Sequence, residues 1–313
     1  MCRSWKLAAS RHAFPAVRRG RTFRAKVGTT CRPTVGTTRP ARRSAPERYG
    51  KEPTVPDAPR TGTERPSTPP LSPMPEDWQR ALAVVAHPDD LEYGAAAAVA
   101  EWTAAGREVT YLLVTRGEAG IDGLGPQECA AVREAEQRAS AAVVGVRTVE
   151  FLDGHQDGVI EAGLPLRRDL SAAIRRHRPE LLITLNHHDT WGGVAWNTPD
   201  HRVVGRAALD AAGDAGNRWI FPDLIAEQGL DPWDGVRWVA VAGSPYPTHA
   251  KEVGAGIERA VASLAEHRAY ITGLEGAGQD PAAYARGFLE PMLRGAGDQY
   301  RGTPATLFQL YPR

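Results

Sequence analysis

The sequence predicts an α/β protein: a mostly parallel sheet with helices on both faces, preceded by a disordered basic N-terminal segment. Two observations lead there. From about residue 78, short continuous apolar runs alternate with stretches of helical spacing, the rhythm of strands covered on both sides. The chain also divides by charge, with 16 Lys+Arg against 4 Asp+Glu in residues 1–73 and 22 against 33 in the remainder. The leading part is rich in Arg, Pro, Thr and Ser and has no sustained apolar period, so it cannot bury enough surface to offset chain entropy. Residues 1–75 are therefore expected to be disordered and separable from the functional protein, which could begin at Met74 without loss to the fold. Residues 76–313 are expected to form a single catalytic domain.

The elements follow in order. "ALAVVAH" (81–87) is a short apolar strand, and the Ala-rich "LEYGAAAAVAEWTAAG" (91–106) predicts one helix stopping at Gly106. "REVTYLLVT" (107–115) reads as a buried strand. A helix from Pro126 to Gly145 has proline near its start and glycine at its end. "RTVEFLD" (147–153) is strand-like, and Leu166, Leu170 and Ile174 recur every four residues in the next helix. "LLITLN" (181–186) and "VRWVAVAGS" (236–244) add two strands. Val253, Ile257, Val261 and Leu264 predict a late helix.

Several function classes are excluded. The folded part is acidic, which speaks against a nucleic-acid partner. No apolar stretch approaches the roughly 20 residues that span a bilayer, so no membrane segment is expected. Cys2 and Cys31 lie in the leading segment and Cys129 stands alone in the body. That rules out a disulfide framework or a Cys-based zinc site there, and fits a reducing, cytoplasmic location. "RRGRTF" is not followed by an apolar run, so export is not expected.

In open α/β sheets ligands bind beyond the carboxyl ends of the strands. Here those ends carry "HPDD", "TRGEAG", "LDGHQDG" and "NHHDTWGG". His87 and Asp90 stand three apart on a turn that Pro88 restrains, and imidazole and carboxylate both suit zinc. The third ligand expected is His201 in "NTPDHRVVG", in the first turn of a helix capped by Thr198 with Pro199 at its first position. Asp89 is left to act as general base toward metal-bound water. The plainer alternative is that "HPDD" is only a turn that caps a helix.

These motifs resemble the LmbE-like or PIG-L-type metal-dependent N-deacetylases, over roughly residues 80–270. The resemblance rests on "AHPDDLE", "TRGEAG", "REAEQRASAAVVGV" and "PDHRVVG". It implies a Rossmann-like fold, usually a zinc ion, and hydrolysis of the acetamide of an amino sugar or related glycoconjugate. It places the metal ligands on His87, Asp90 and His201, the base on Asp89, and a substrate contact on Arg133. Many members have a histidine where this chain has Thr198, three residues before the last ligand, credited with stabilising the transition state or donating a proton. The expectation is that His188 supplies that role, with Thr198 and Asp157 facing substrate. Alternatively no residue does, and Asp89, once protonated, donates to the leaving amine.

Trp191, Trp196, Trp219, Trp233 and Trp238 invite a sugar-stacking reading, with core and lid packing the more ordinary one. His155 and Asp153 are placed near the site, and His249 and His267 are read as structural. Two His and one carboxylate also make the triad of non-haem iron(II) oxygenases, so Fe2+ and an oxygenase stay open as alternatives to a zinc hydrolase. So do a non-catalytic binding protein on the same fold and a homo-oligomeric state. A dinucleotide-binding dehydrogenase is disfavoured, because no G-x-G-x-x-G turn follows the first strand.

Overall fold

The computed structural model describes residues 69–274 and 280–313. The expectations placed on residues 1–68, with Cys2 and Cys31, lie outside them. The first described elements are β1 (Ser72–Pro73) and β2 (Arg80–Val85). They correct the boundary at residue 75: β1 pairs with residues 249–250, and Met74 is buried in the core. A chain starting at Met74 would therefore lose a strand pairing.

In β2, Ala81, Ala83 and Val85 enter the core on one face, while Leu82 and Val84 enter it on the other. This is why the run is continuously apolar. The predicted helix over 91–106 is in fact two, α1 (Asp90–Gly94) and α2 (Ala96–Ala104), broken at Ala95 with φ −140° and ψ −9°. At Gly94 the first helix passes so close to Leu185 that a Cβ would lie 2.7 Å from its Cδ1. Gly94, a poor helix former next to the break, is the local mark of it, set against the alanines that follow.

The chain continues through β3 (Glu108–Leu113), α3 (Pro126–Val143), β4 (Thr148–Phe151), α4 (Leu164–His177) and β5 (Leu181–Leu185). A small hairpin, β6 (Thr190–Trp191) and β7 (Ala195–Trp196), leads into α5 (Pro199–Asp214). Next come α6 (Asp223–Ala226), β8 (Trp238–Ala242), β9 (His249–Glu252) and α7 (Ile257–Ala265), the last beginning after Val253. The described residues end with α8 (Arg268–Gly273), α9 (Pro281–Asp298) and β10 (Ala305–Pro312).

The main sheet has the order β1-β9-β10-β8-β5-β2-β3-β4. From β4 through β8 every pairing is parallel, while β10 runs antiparallel to both β8 and β9. The fold is thus mixed α/β with a mostly parallel sheet, as the sequence predicts. One helical layer packs through Trp102, Leu264, Leu289 and their neighbours. The other packs Leu166, Leu170 and Ile174 of α4 and Val204 and Ala208 of α5 onto the opposite face.

Strand order reverses between β2 and β5: β3 and β4 lie to one side, and β8 to the other. Connections leave this point in opposite directions, so a crevice opens above the two carboxyl ends. "HPDD" rises from β2, and the segment carrying Thr198 and His201 rises from β5.

Candidate metal centre

Local rules shape the first loop. Asp89 adopts φ 81°, a left-handed conformation that short polar side chains tolerate better than most. Its N–H donates to Gln137 Oε1 at 2.9 Å, and its carbonyl accepts the Tyr93 N–H at 3.2 Å. The turn folds Asp90 back so that its Oδ2 accepts the His87 N–H at 2.9 Å. In the second loop Thr198 caps α5, its Oγ1 accepting the His201 N–H at 3.4 Å. Asn197 fastens this loop, donating to the carbonyls of Asn186 and His188 at 2.7 and 2.9 Å.

The two loops meet. His201 Nε2 lies 3.0 Å from Asp90 Oδ1, and the His87 and His201 rings are 5.2 Å apart. His87 Nε2 lies 3.0 Å from both Asp157 Oδ1 and Asp200 Oδ2. Two groups of donors result, His87/Asp90/His201 and His87/Asp157/Asp200, each with its atoms within 4.8 Å of one another. A neutral imidazole has one lone pair, so a single cation can use His87 in only one group. Nε2 is shared with two carboxylates, whereas Nδ1 is buried without a hydrogen bond, 3.5 Å from Asp90 Oδ2. The donor set therefore fits a cation at His87 Nδ1, Asp90 and His201, with the far ring nitrogens held by Asp200 and by Asn197 Oδ1 at 3.1 Å. Outer partners of this kind fix the tautomer of ligating histidines.

The charges are balanced within the cluster. Burial works against charge on His87, but Asp90, Asp157 and Asp200 outweigh it and hold its pKa well above the ordinary imidazole value. Burial also favours neutral Asp90, yet His201 and His87 keep its pKa well below the carboxylate range. Asp157 is likewise opposed by burial, while His87, the Ala119 N–H and Arg133 bring its pKa down to about 2.

A cavity of about 120 Å3 opens beside the cluster, lined by His87, Asp157, Thr198, Asp200, Arg133 and Tyr270 among others. Arg133 reaches it, but its Nη2 donates to Pro88 O and to Asp89 Oδ2 at 2.8 Å. Its guanidinium also lies 4.1 Å from the Tyr270 ring centre. Gly117 and Gly120 make room: a Cβ on Gly120 would come within 2.1 Å of Arg133 Nη1.

His188 is not brought to the cluster. Its Nε2 meets Gln309 Oε1 at 2.8 Å, because β10 closes over the loop it occupies. None of these five tryptophans lines the cavity: Trp191 is buried against His201, Trp233 and Trp238 pack on the core, and Trp196 and Trp219 face solvent. His155 pairs with Asp169, and Asp153 with Arg116 at the surface. His249 lies on β9 beside Thr248, and His267 is buried against Glu92. Sequence reasoning assigned no role to Asp200, Asn197 or Gln137. Asp200 sits inside the quoted "PDH", and that adjacency to a ligand was the available signal.

Residues 82–212 match the family described as PIG-L, GlcNAc-PI de-N-acetylase. Over this segment the chain is similar to the PIG-L (LmbE-like) family. All the residues of the cluster fall within it. The diacetylchitobiose deacetylase of Thermococcus kodakarensis is 33% identical over 159 residues, 50% of this chain and 57% of that one. A 1D-myo-inositol 2-acetamido-2-deoxy-alpha-D-glucopyranoside deacetylase of Nocardioides is 32% identical over 168 residues, covering 43% and 54%. The chain spans little more than half the length of these curated relatives. Among solved structures, the N,N'-diacetylchitobiose deacetylase of Pyrococcus horikoshii shares the fold at a TM-score of 0.67 and 21% identity, covering 75% of this chain and 85% of that one. The conserved protein TT1542 of Thermus thermophilus superposes at 0.57 with 26% identity, covering 73% and 92%. Among the described residues no helix is long and apolar enough to cross a membrane.

Proposed function

We propose that this chain hydrolyses the acetamide of an N-acetylated amino sugar, releasing acetate and the free amine, with one zinc ion held by His87, Asp90 and His201. The observation that carries the reading is the meeting of these donors across the β2/β5 crevice, each imidazole backed through its other nitrogen. The similarity to deacetylases of diacetylchitobiose and of an acetamido-glucopyranoside supports the substrate class. A bound divalent cation polarises an amide carbonyl and brings the acidity of water close to neutral pH.

The protein's own groups do the rest. Asp89 takes the proton of the attacking water and returns it to the departing nitrogen as the C–N bond breaks. Arg133 holds that carboxylate in one orientation through the 2.8 Å pair. Thr198 accepts the His201 N–H, which leaves its own O–H to donate to the carbonyl oxygen as negative charge develops there. This replaces the role expected of His188. Asp157 faces the cavity and accepts a hydroxyl of the sugar.

The test is acetate release from N-acetylglucosamine, diacetylchitobiose and an N-acetylglucosaminyl inositol in oxygen-free buffer, alongside zinc stoichiometry. Turnover without oxygen and about one zinc per chain, both lost in His201→Ala, support the hydrolase. Turnover only with oxygen, or zinc without any turnover, overturns it.

A further inference from the structure

The buried face of α3 is polar where a core-facing helix is ordinarily apolar. Its inward residues are Cys129, Arg133, Gln137, Ser140 and Ala141. Arg133 and Gln137 stand one turn apart on the same side. Arg133, Gln137 and Ser140 all engage the segment 88–92. Arg133 donates to Pro88 O and to the Asp89 carboxylate. Gln137 Oε1 accepts the Asp89 N–H at 2.9 Å, and its Nε2 donates to Glu92 Oε1 at 2.9 Å. Ser140 Oγ donates to the same Glu92 oxygen at 2.7 Å. Asp89, Glu92, Arg133, Gln137 and Ser140 are each 0–2% exposed.

The orientation of the Gln137 amide follows from chemistry. The Asp89 N–H can only donate, and a Glu92 carboxylate can only accept, so oxygen must face the first and nitrogen the second. The amide is thereby keyed at both ends. The residue it grips is the one with φ 81°, and the next residue along is Asp90. Removing the acceptor leaves a buried N–H without a partner in the middle of a strained turn.

We propose that Gln137, keyed by Glu92, is a positioning residue: it holds the Asp89 N–H so that the base and the Asp90 ligand share one rigid turn. This deepens the reading of Asp89 as base and Asp90 as ligand, and rests on it. Neither residue touches substrate. Their effect is expected in zinc affinity and in kcat, with little change in KM.

The experiment compares full-length wild type with Gln137→Leu, Gln137→Glu and the exchange Glu92→Gln/Gln137→Glu. Zinc affinity is read by competition with a chelator, and kcat and KM by acetate release. Gln137→Leu and Gln137→Glu are expected to weaken zinc roughly 10- to 100-fold, the range for groups that orient ligands. The exchange keeps an acceptor for the Asp89 N–H at residue 137 and restores the bond between residues 92 and 137 with donor and acceptor reversed, and is expected to recover zinc affinity and kcat to within about threefold of wild type. A folded Gln137→Leu with wild-type zinc affinity and kcat overturns the proposal. So does an exchange variant that is no better than Gln137→Glu in zinc affinity or in folding, which decides the matter if the single variants fail to fold. If wild type releases no acetate while the zinc series behaves as expected, the deacetylase reading falls and the positioning role stands.

Discussion

Two histidine pairs sit above the carboxyl ends of β2 and β5, in opposite surroundings. His87 and His201 come from distant loops and meet Asp90, Asp157 and Asp200. His187 and His188 are sequence neighbours with rings 4.2 Å apart, and their company is the Gln309 amide and the rings of Tyr246 and Tyr311. The carboxylates lift the pKa of His87, whereas burial, His188 and Arg206 bring that of His187 down to about 4. Two imidazoles side by side disfavour a proton on either, whereas carboxylates among them favour it.

The comparison breaks most visibly at His201. His201→Ala should weaken zinc by more than the roughly 10- to 100-fold typical of a ligand's outer partner, read by chelator competition, and abolish acetate release. Thr198→Val removes the hydroxyl donor and should lower kcat by about 100-fold at unchanged zinc content, with Thr198→Ser restoring most of it. Asp200→Ala leaves the three proposed zinc donors in place but takes one of the two carboxylates from the far nitrogen of His87, and should weaken zinc by about 10-fold.

The second pair should answer to pH. A histidine whose folded pKa lies below its unfolded value is held neutral by the fold, so protons bind the unfolded chain more readily between the two values. For His187 the window runs from 6.5 down to about 4. Its contribution is full above the upper limit and declines as pH falls through the window, by about 2 kcal/mol between pH 7 and pH 5. His187→Gln should flatten the thermal stability profile across that interval. The smallest effect is expected of His188→Ala: less than about a twofold change in acetate release, because its ring faces Gln309 and not the cavity.

Much of this was legible in the residues. The continuous apolar runs of β2 and β5 mark strands covered on both faces, and the turns after them fall at the strand-order reversal. Thr198 and Pro199 read as a helix start, and the cap bond to the His201 N–H is there. What escaped depends on three-dimensional approach. The helix breaks just after Gly94, whose close approach to Leu185 is not visible in the sequence. The adjacent histidines of "NHH" suggest chemistry, but β10, far along the chain, claims the ring of His188. Gln137 looks like an ordinary polar helix residue until its partners at Asp89 and Glu92 are known.

The place of β10 also bears on how the protein comes off the ribosome. It lies between β8 and β9 although residues 305–312 are made after both. Until they emerge, β8 presents an unpaired edge, and β9 with β1 has no bridge to the parallel strands. The nascent sheet thus waits in two pieces, exposed to pairing with other chains, and a clip inserted late joins them. That same clip brings Gln309 to the loop beside the cluster, so the rim of the crevice is finished only when the sheet is.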